Sequence, residues 1–317
     1  MPLQRRATVG TRLLTSAGRV LTARSPWVAI LVLASAACDG RSPTSPTPPA
    51  AAIRRGLVIV SIDGMRGDAA QTAAPNLVAL SQRGAFTWRA QTVVPSITLS
   101  AHASMLSGDT PDVHGMTWSE WDPRQATISV PTIFTIARRA GLTTAMVVGK
   151  PKLAHLNAPG STPTFVVCGN DDDVVMRALV EVHAGTDLVF VHLPDTDLAG
   201  HRHGWMSPQY LAALSSADQA LGRLIAAARA GTTFIVTADH GGHARDHGAA
   251  WPADLTIPWV IAGPGVKPGQ ILAMPVRVFD TAPTAAAVLG LPVQESMQGR
   301  VVAEALSTAA PLTAGAN

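Results

Sequence analysis

From Leu57 onward, short continuous apolar runs alternate with stretches whose apolar positions recur every three or four residues. That alternation predicts βα units around a mainly parallel sheet with helices on both faces, an α/β fold. The clearest strands are Leu57–Ile62, Leu142–Val148, Leu188–Leu193 and Thr233–Thr237, each too short for a core helix. One helix is predicted from Ser207 as N-cap and Pro208 as first helical residue to a stop at Gly231. Leu211, Leu214, Leu221, Leu224 and Ile225 share one of its faces. A second is expected over Pro131–Ala140, ended by Gly141, and a third after Asp171-Asp172-Asp173. Acids at a helix N-terminus offset its dipole, so that triplet is read as a helix start rather than a metal site. Neither an internal repeat nor a linker follows Ala52, so residues 53–317 are expected to form one domain.

The first fifty residues have a different pattern. An Arg-bearing stretch leads into the apolar run Trp27–Ala37, which at about eleven residues is too short to span a bilayer and suits a secretory signal over 1–37. Ser35-Ala36-Ala37-Cys38 resembles a loose bacterial lipobox with Cys38 as the lipid-bearing residue, while Ala34-Ser35-Ala36 would serve an ordinary signal peptidase. Arg5-Arg6 begins a twin-arginine motif that the following residues do not complete. Residues 38–52, rich in Pro, Ser and Thr, read as a semi-extended tether. The expectation is an exported protein, periplasmic or held at a bacterial membrane only through Cys38. Removing or acylating Cys38 leaves Cys168 alone, which excludes an intramolecular disulfide and suits a small buried hydrophobe.

Charge changes the picture less than it first suggests. Six arginines against Asp39 give residues 1–52 a charge of +5, which leaves −2 for the rest of a chain whose formal net charge is +3. After residue 52 the only lysines are Lys150, Lys152 and Lys267. A nucleic-acid binder would keep its basic patch on the folded domain, so that partner class is excluded.

Three predicted strands run into acids: Asp63-Gly64, Asp195 and Asp197, and Asp239-His240-Gly241-Gly242. Ligands of open parallel sheets bind at the carboxyl ends of strands, so these acids converge, and gathered carboxylates repel one another unless a cation holds them. His201 lies four residues after Asp197, and DHGGHARDHG (239–248) adds His240, His243 and His247. Any one of these histidines alone would be an ordinary turn or core residue. Together, acids and imidazoles suit Zn²⁺, Mn²⁺ or iron, and there are enough for two divalent ions of the kind that clamp an in-line displacement at phosphorus. A nucleophile is sought in Pro95–His102, where Thr98 falls at or near a helix N-terminus; Ser96, Thr98 or Ser100 could instead be a plain N-cap.

These segments, in this order, resemble the alkaline phosphatase superfamily and within it the type I phosphodiesterase/nucleotide pyrophosphatase branch. The resemblance rests on SIDGMRGD (61–68), PSITLSAHASMLSG (95–108), HGMTWSEWDP (114–123), DLAGHRHG (197–204), TADHGG (237–242) with the later His247-Gly248, and DTAPTAAAVLGLP (280–292). It implies an alkaline phosphatase-like domain in which Asp63, Asp239, His240 and Thr98 hold one ion and Asp197, His201 and His247 the other, zinc foremost. It further implies that Thr98 attacks phosphorus to give a phosphothreonyl enzyme, which water hydrolyses. The resemblance also implies, through the family's spacing to Gly200-His201, that Asp197 is the ligand and Asp195 has a turn or supporting role, and through the following Gly248 that His247 rather than His243 is the ligand. Branch members commonly carry Asn where this chain has Ser119, whose hydroxyl reaches less far toward a phosphoryl oxygen. Lys150 is either a substrate-phosphate contact or a surface residue, and Arg66 beside Asp63 is open in the same way. Trp118, Trp121 and Trp205 either stack on a base or belong to the core. The implied activity is hydrolysis of a small phosphodiester. Phosphomonoesterase or phosphonate hydrolysis on the same scaffold is the alternative, and a non-catalytic tethered binding lipoprotein is the reading of a different class.

Overall fold

The computed structural model describes residues 56–307, so the signal segment, Cys38 and the tether lie outside the described residues. Eight strands form one sheet: β1 (Leu57–Ile62), β2 (Ala85–Gln91), β3 (Thr144–Val148), β4 (Thr164–Val167), β5 (Leu188–Leu193), β6 (Thr233–Thr237), β7 (Thr256–Ala262) and β8 (Gln270–Ile271). Their order across the sheet is β4-β3-β5-β1-β6-β7-β2-β8, with only β7 running against its neighbours. This is the mainly parallel α/β architecture the apolar runs predict. Strands β1, β3, β5 and β6 are buried along their whole length, which is why each reads as a continuous apolar run rather than an alternation.

The antiparallel strand β7 was not expected, and Pro258 in its middle explains why its pattern is weak. Thr87 pairs with Trp259 and Ala90 with Ile257, so Trp88 and Arg89 together oppose the single residue Pro258. A bulge stands where proline has no N–H to offer the ladder.

The helix predicted from Ser207 runs over Pro208–Ala227, its Ser207 hydroxyl accepting from Tyr210 N, and stops four residues before Gly231. The other two are found at Ile133–Arg139, capped by Thr132, and at Asp171–Ala184, capped by Asn170. No helix among the described residues is long and apolar enough to cross a membrane. Cys168 departs from expectation: it follows edge strand β4 and is half-buried rather than part of the interior.

Candidate active site

The carboxyl ends of β1, β5 and β6 bring the acids to one place. Asp63 follows β1 directly, Asp239 follows β6 by two residues, and Asp197 sits in the first turn of the helix Asp195–His203 that leaves β5. Gly64 makes the close approach workable: its φ is +69°, and a side chain there would meet the Cα of Asp197 at 3.2 Å. Its N–H donates to Asp239 Oδ1 (3.1 Å), and its carbonyl accepts from Trp205 Nε1 (2.9 Å) and Tyr210 Oη (3.0 Å). One tight turn thus ties three strand ends together.

Two clusters result, in each of which one ligating atom per residue lies within 4.8 Å of the others: Asp63, Asp239 and His240, and Asp197, His201 and His247. In the first, His240 Nε2 is 3.4 Å from Asp63 Oδ1 and 3.2 Å from Asp239 Oδ2. In the second, His201 Nε2 is 3.4 Å from Asp197 Oδ1 and 3.1 Å from His247 Nε2. His201 lies four residues after Asp197, one helical turn on, so both share a helix face.

The hydrogen bonds decide how these groups are turned. His240 Nδ1 bonds the Gly241 carbonyl (2.8 Å), His201 Nδ1 that of Arg245 (3.0 Å) and His247 Nδ1 that of Ser96 (2.8 Å). A carbonyl only accepts, so each Nδ1 carries the hydrogen and each Nε2 presents a lone pair to its cluster. Burial, first of all, keeps His240 and His247 neutral, pushing the His247 pKa down to about 4. Asp63 Oδ1, Asp239 Oδ2, Asp197 Oδ1 and His240 Nε2 are all buried without a hydrogen-bond partner. Lone pairs converging in this way, unsatisfied and out of water, are the donor set a divalent cation requires, and metal-bound histidines are typically held through the other nitrogen in this manner.

Thr98 opens the helix Thr98–Ser107, every residue of which is buried. Ile97 occupies the N-cap and Ser96 donates to the Ala249 carbonyl, so neither Thr98 nor Ser96 is spent as a cap. The amide groups of that first turn have no partner within the helix.

Lys150, which follows β3 by two residues, lies at the centre. Its Nζ is 2.7 Å from Asp63 Oδ2, 2.6 Å from Asp197 Oδ2 and 3.3 Å from Thr98 Oγ1. Burial works against the Asp63 charge, but Lys150 and a hydrogen bond from His192 outweigh it and hold that carboxyl well below the usual range. Burial and repulsion from Asp63 push Asp239 the other way, well above it. Lys150 is raised in turn, its two carboxylate neighbours outweighing desolvation.

Other residues lie elsewhere. Ser119 is exposed on the loop after His114-Gly115, and no hydrogen bond among the described residues joins it to either cluster. Asp195 exchanges backbone-to-carboxylate bonds with Asp171 (3.1 Å each way), and His243 pairs with Asp254 (2.6 Å) under Trp251. Arg66 is turned to Asp68 and the Gly242 carbonyl. Trp205 is buried, Trp118 half-buried, and Trp121 is 45% exposed and packed on His155. Sequence reasoning passed over His192, on β5, whose ring bonds Asp63 (2.8 Å). The one signal was a lone imidazole inside an apolar strand.

A mainly parallel sheet with acids and imidazoles at its carboxyl edge defines an α/β fold of the alkaline phosphatase superfamily. Within it the chain belongs to the type I phosphodiesterase/nucleotide pyrophosphatase family, whose profile it matches over residues 57–251. Among solved structures it resembles murine ectonucleotide pyrophosphatase/phosphodiesterase 5, an inactive form in complex with AMP, with a TM-score of 0.68 over 80% of this chain and 100% of that one; at 16% identity this likeness is one of fold. Among curated proteins it is 34% identical to a 2,3-bisphosphoglycerate-independent phosphoglycerate mutase of Cereibacter sphaeroides over 138 residues, 42% of this chain and 27% of the mutase. It is 36% identical to a phosphopentomutase of a Methylobacterium species over 144 residues, 44% of this chain and 34% of that enzyme. The chain therefore spans about a quarter to a third of the length of these two relatives.

Proposed function

We propose that this protein is an exported two-metal phosphoric ester hydrolase, a phosphodiesterase of nucleotide-pyrophosphatase type acting on a small diester. The observation that carries the proposal is the set of three imidazoles, each bound through Nδ1 to a backbone carbonyl and turned by Nε2 onto unpartnered carboxylate oxygens beside Thr98. Asp63, Asp239 and His240, with Thr98, would hold one divalent ion, and Asp197, His201 and His247 the other. Zn²⁺ suits the mixed nitrogen and oxygen set best, with Mn²⁺ and iron as alternatives. Such ions, when bound, lower the pKa of a coordinated hydroxyl or water and offset charge building up on phosphoryl oxygens.

The chain supplies the rest. Thr98 Oγ forms a bond to phosphorus as the ester oxygen leaves with the bonding electron pair and takes up a proton; water then cleaves the phosphothreonine and returns the hydroxyl. The free amides of the first helical turn would donate to the phosphoryl oxygens, and the Lys150 ammonium, held among Asp63, Asp197 and Thr98 Oγ1, would join them by exchanging one of these partners for a phosphoryl oxygen. A diester substrate is supported by the family, and a nucleotide moiety by the AMP bound to the murine structure of the same fold. Lys150 also gives weight to a second reading, phosphomonoester hydrolysis, because a monoester dianion has one more charge to be met by an ammonium. Export, with or without lipid at Cys38, rests on the residue pattern of 1–52.

Purified protein is expected to bind two equivalents of a transition metal and to hydrolyse bis-p-nitrophenyl phosphate in preference to p-nitrophenyl phosphate. Thr98→Ala is expected to lose that activity. A preference of about a hundredfold for the monoester would replace the diesterase reading with the second one. Metal-reconstituted protein without activity on either ester would favour a tethered binding protein that retains the fold.

A further inference from the structure

His192 lies outside both clusters, is fully buried, and its hydrogen bonds join two things the proposed chemistry needs to keep in register. Strand β5 lies between β1 and β3, and His192 is in register with Ser61 on one side and Val148 on the other. Its ring therefore reaches the segments that leave both neighbours. On the β3 side, Nδ1 accepts from Gly149 N at 3.1 Å, immediately before Lys150. A backbone N–H only donates, so the hydrogen of this ring is on Nε2, which donates to Asp63 Oδ2 at 2.8 Å on the β1 side. Lys150 Nζ binds the same oxygen at 2.7 Å. One carboxylate oxygen is thereby committed to protein donors, and Asp63 Oδ1 is left facing His240 without a partner.

The surroundings leave this imidazole little freedom. His102 packs edge-on against it, with ring centroids 4.9 Å apart, and is itself bonded to Ser61 Oγ (2.8 Å) and the Thr98 carbonyl (2.7 Å). At Gly149 a side chain would meet Pro194 at 2.3 Å, so that segment sits directly against the turn that ends β5.

We infer that His192 is a positioning residue with two separable tasks: through Nε2 it turns Asp63 so that Oδ1 faces the ion site, and through Nδ1 it seats the Gly149-Lys150 segment that holds the ammonium at Asp63, Asp197 and Thr98, from which it would meet the phosphoryl group of the proposed reaction. The inference rests on the two-metal reading above. Hydrogen-bonded partners of metal ligands are known to be worth about 10–100-fold in metal affinity.

The two amide residues divide the tasks. An Asn side chain places its oxygen near the Nδ1 position and keeps the Gly149 bond without the donor to Asp63. A Gln side chain reaches the Nε2 position and keeps that donor without the acceptor for Gly149. Metal-free wild type, His192→Asn and His192→Gln are titrated with Zn²⁺ by calorimetry, and KM and kcat for bis-p-nitrophenyl phosphate are measured at saturating Zn²⁺, with melting temperature recorded for each. His192→Asn is expected to weaken one of the two Zn²⁺ binding steps by about 10–100-fold with little change in KM. His192→Gln is expected to keep both steps within about threefold and to raise KM about tenfold. Should one variant fail to fold, the other still decides, because each is expected to move one readout and spare the other. Variants that bind Zn²⁺ as wild type does and keep its KM, or that lose both properties together, overturn the inference and leave the two-metal reading standing. A wild-type protein that takes up no Zn²⁺ overturns both.

Discussion

The two clusters are built from the same residue types yet differ in how they are held. Asp63, Asp239 and His240 follow strands β1 and β6 and are completely buried, with Gly64 N and the His192 ring fixing the carboxylates. Asp197, His201 and His247 come from a helix and a loop, and the side chains of His201 and His247 are 42% and 11% exposed. The inner set is part of the sheet edge, positioned before any ligand arrives. The outer set reaches solvent at His201 and, to a lesser degree, at His247, while Asp197 is buried. Lys150 bridges them, touching Asp63 of one and Asp197 of the other. Preorganisation and access, which one site could not easily combine, are divided between two.

Substitution tests this division most strongly. Asp63→Ala is expected to reduce kcat/KM on the diester reporter by at least ~10³-fold without rescue by added Zn²⁺, whereas His201→Ala should cost about 10–100-fold and recover in part at high Zn²⁺. Equal, unrescued losses at both positions would erase the distinction. Chelation should show it next: on exposure to EDTA, one equivalent is expected to leave quickly and the second slowly, followed by metal analysis of timed samples. Simultaneous loss would mean that burial does not govern release. Lys150→Met is expected to lower kcat/KM by about 10–100-fold and also to destabilise the metal-free protein, because it leaves two buried carboxylates facing one another; calorimetric unfolding reads the second effect.

A carboxylate pair outside both clusters sharpens the comparison with a smaller effect. Asp171 and Asp195 each accept the other's backbone N–H, have no imidazole partner, and leave Asp171 Oδ2 buried without a hydrogen bond. Burial, then repulsion from Asp195, raises the Asp171 pKa to about 7. Its proton is bound more tightly in the folded chain than in the unfolded one. Burial of Asp171 is therefore least costly near pH 4, and the fold loses stability as pH rises toward 7. Asp171→Asn is expected to raise the melting temperature by a few degrees at pH 8 and to change it little at pH 4.5. An unchanged value at pH 8 would show that Asp171 ionises without cost.

Strands β1, β5 and β6 were legible because strands buried on both faces must be apolar throughout, a signal that resides in five or six consecutive residues. The helix Pro208–Ala227 was legible from Ser207 and Pro208, since an N-cap and its first turn interact within a few residues. The acids after those strands, and His201 one helical turn beyond Asp197, follow from the same local rules. β7 was not legible, because Pro258 weakens its pattern and the bulge opposite it belongs to another strand. Lys150 could be read only as a candidate from sequence. Its ammonium meets Asp197, 47 residues away, because β3 and β5 pair directly and their carboxyl ends lie side by side. His192 and Asp63 are 129 residues apart and meet through the register of β5 on β1. The sequence by itself determined which segments become strands and helices and which chemical groups stand at their ends, because those preferences act over one or two turns of chain. Strand order and register, set by packing across the whole sheet, decided which of those groups share an oxygen, which nitrogen each ring turns inward, and which cluster water can reach.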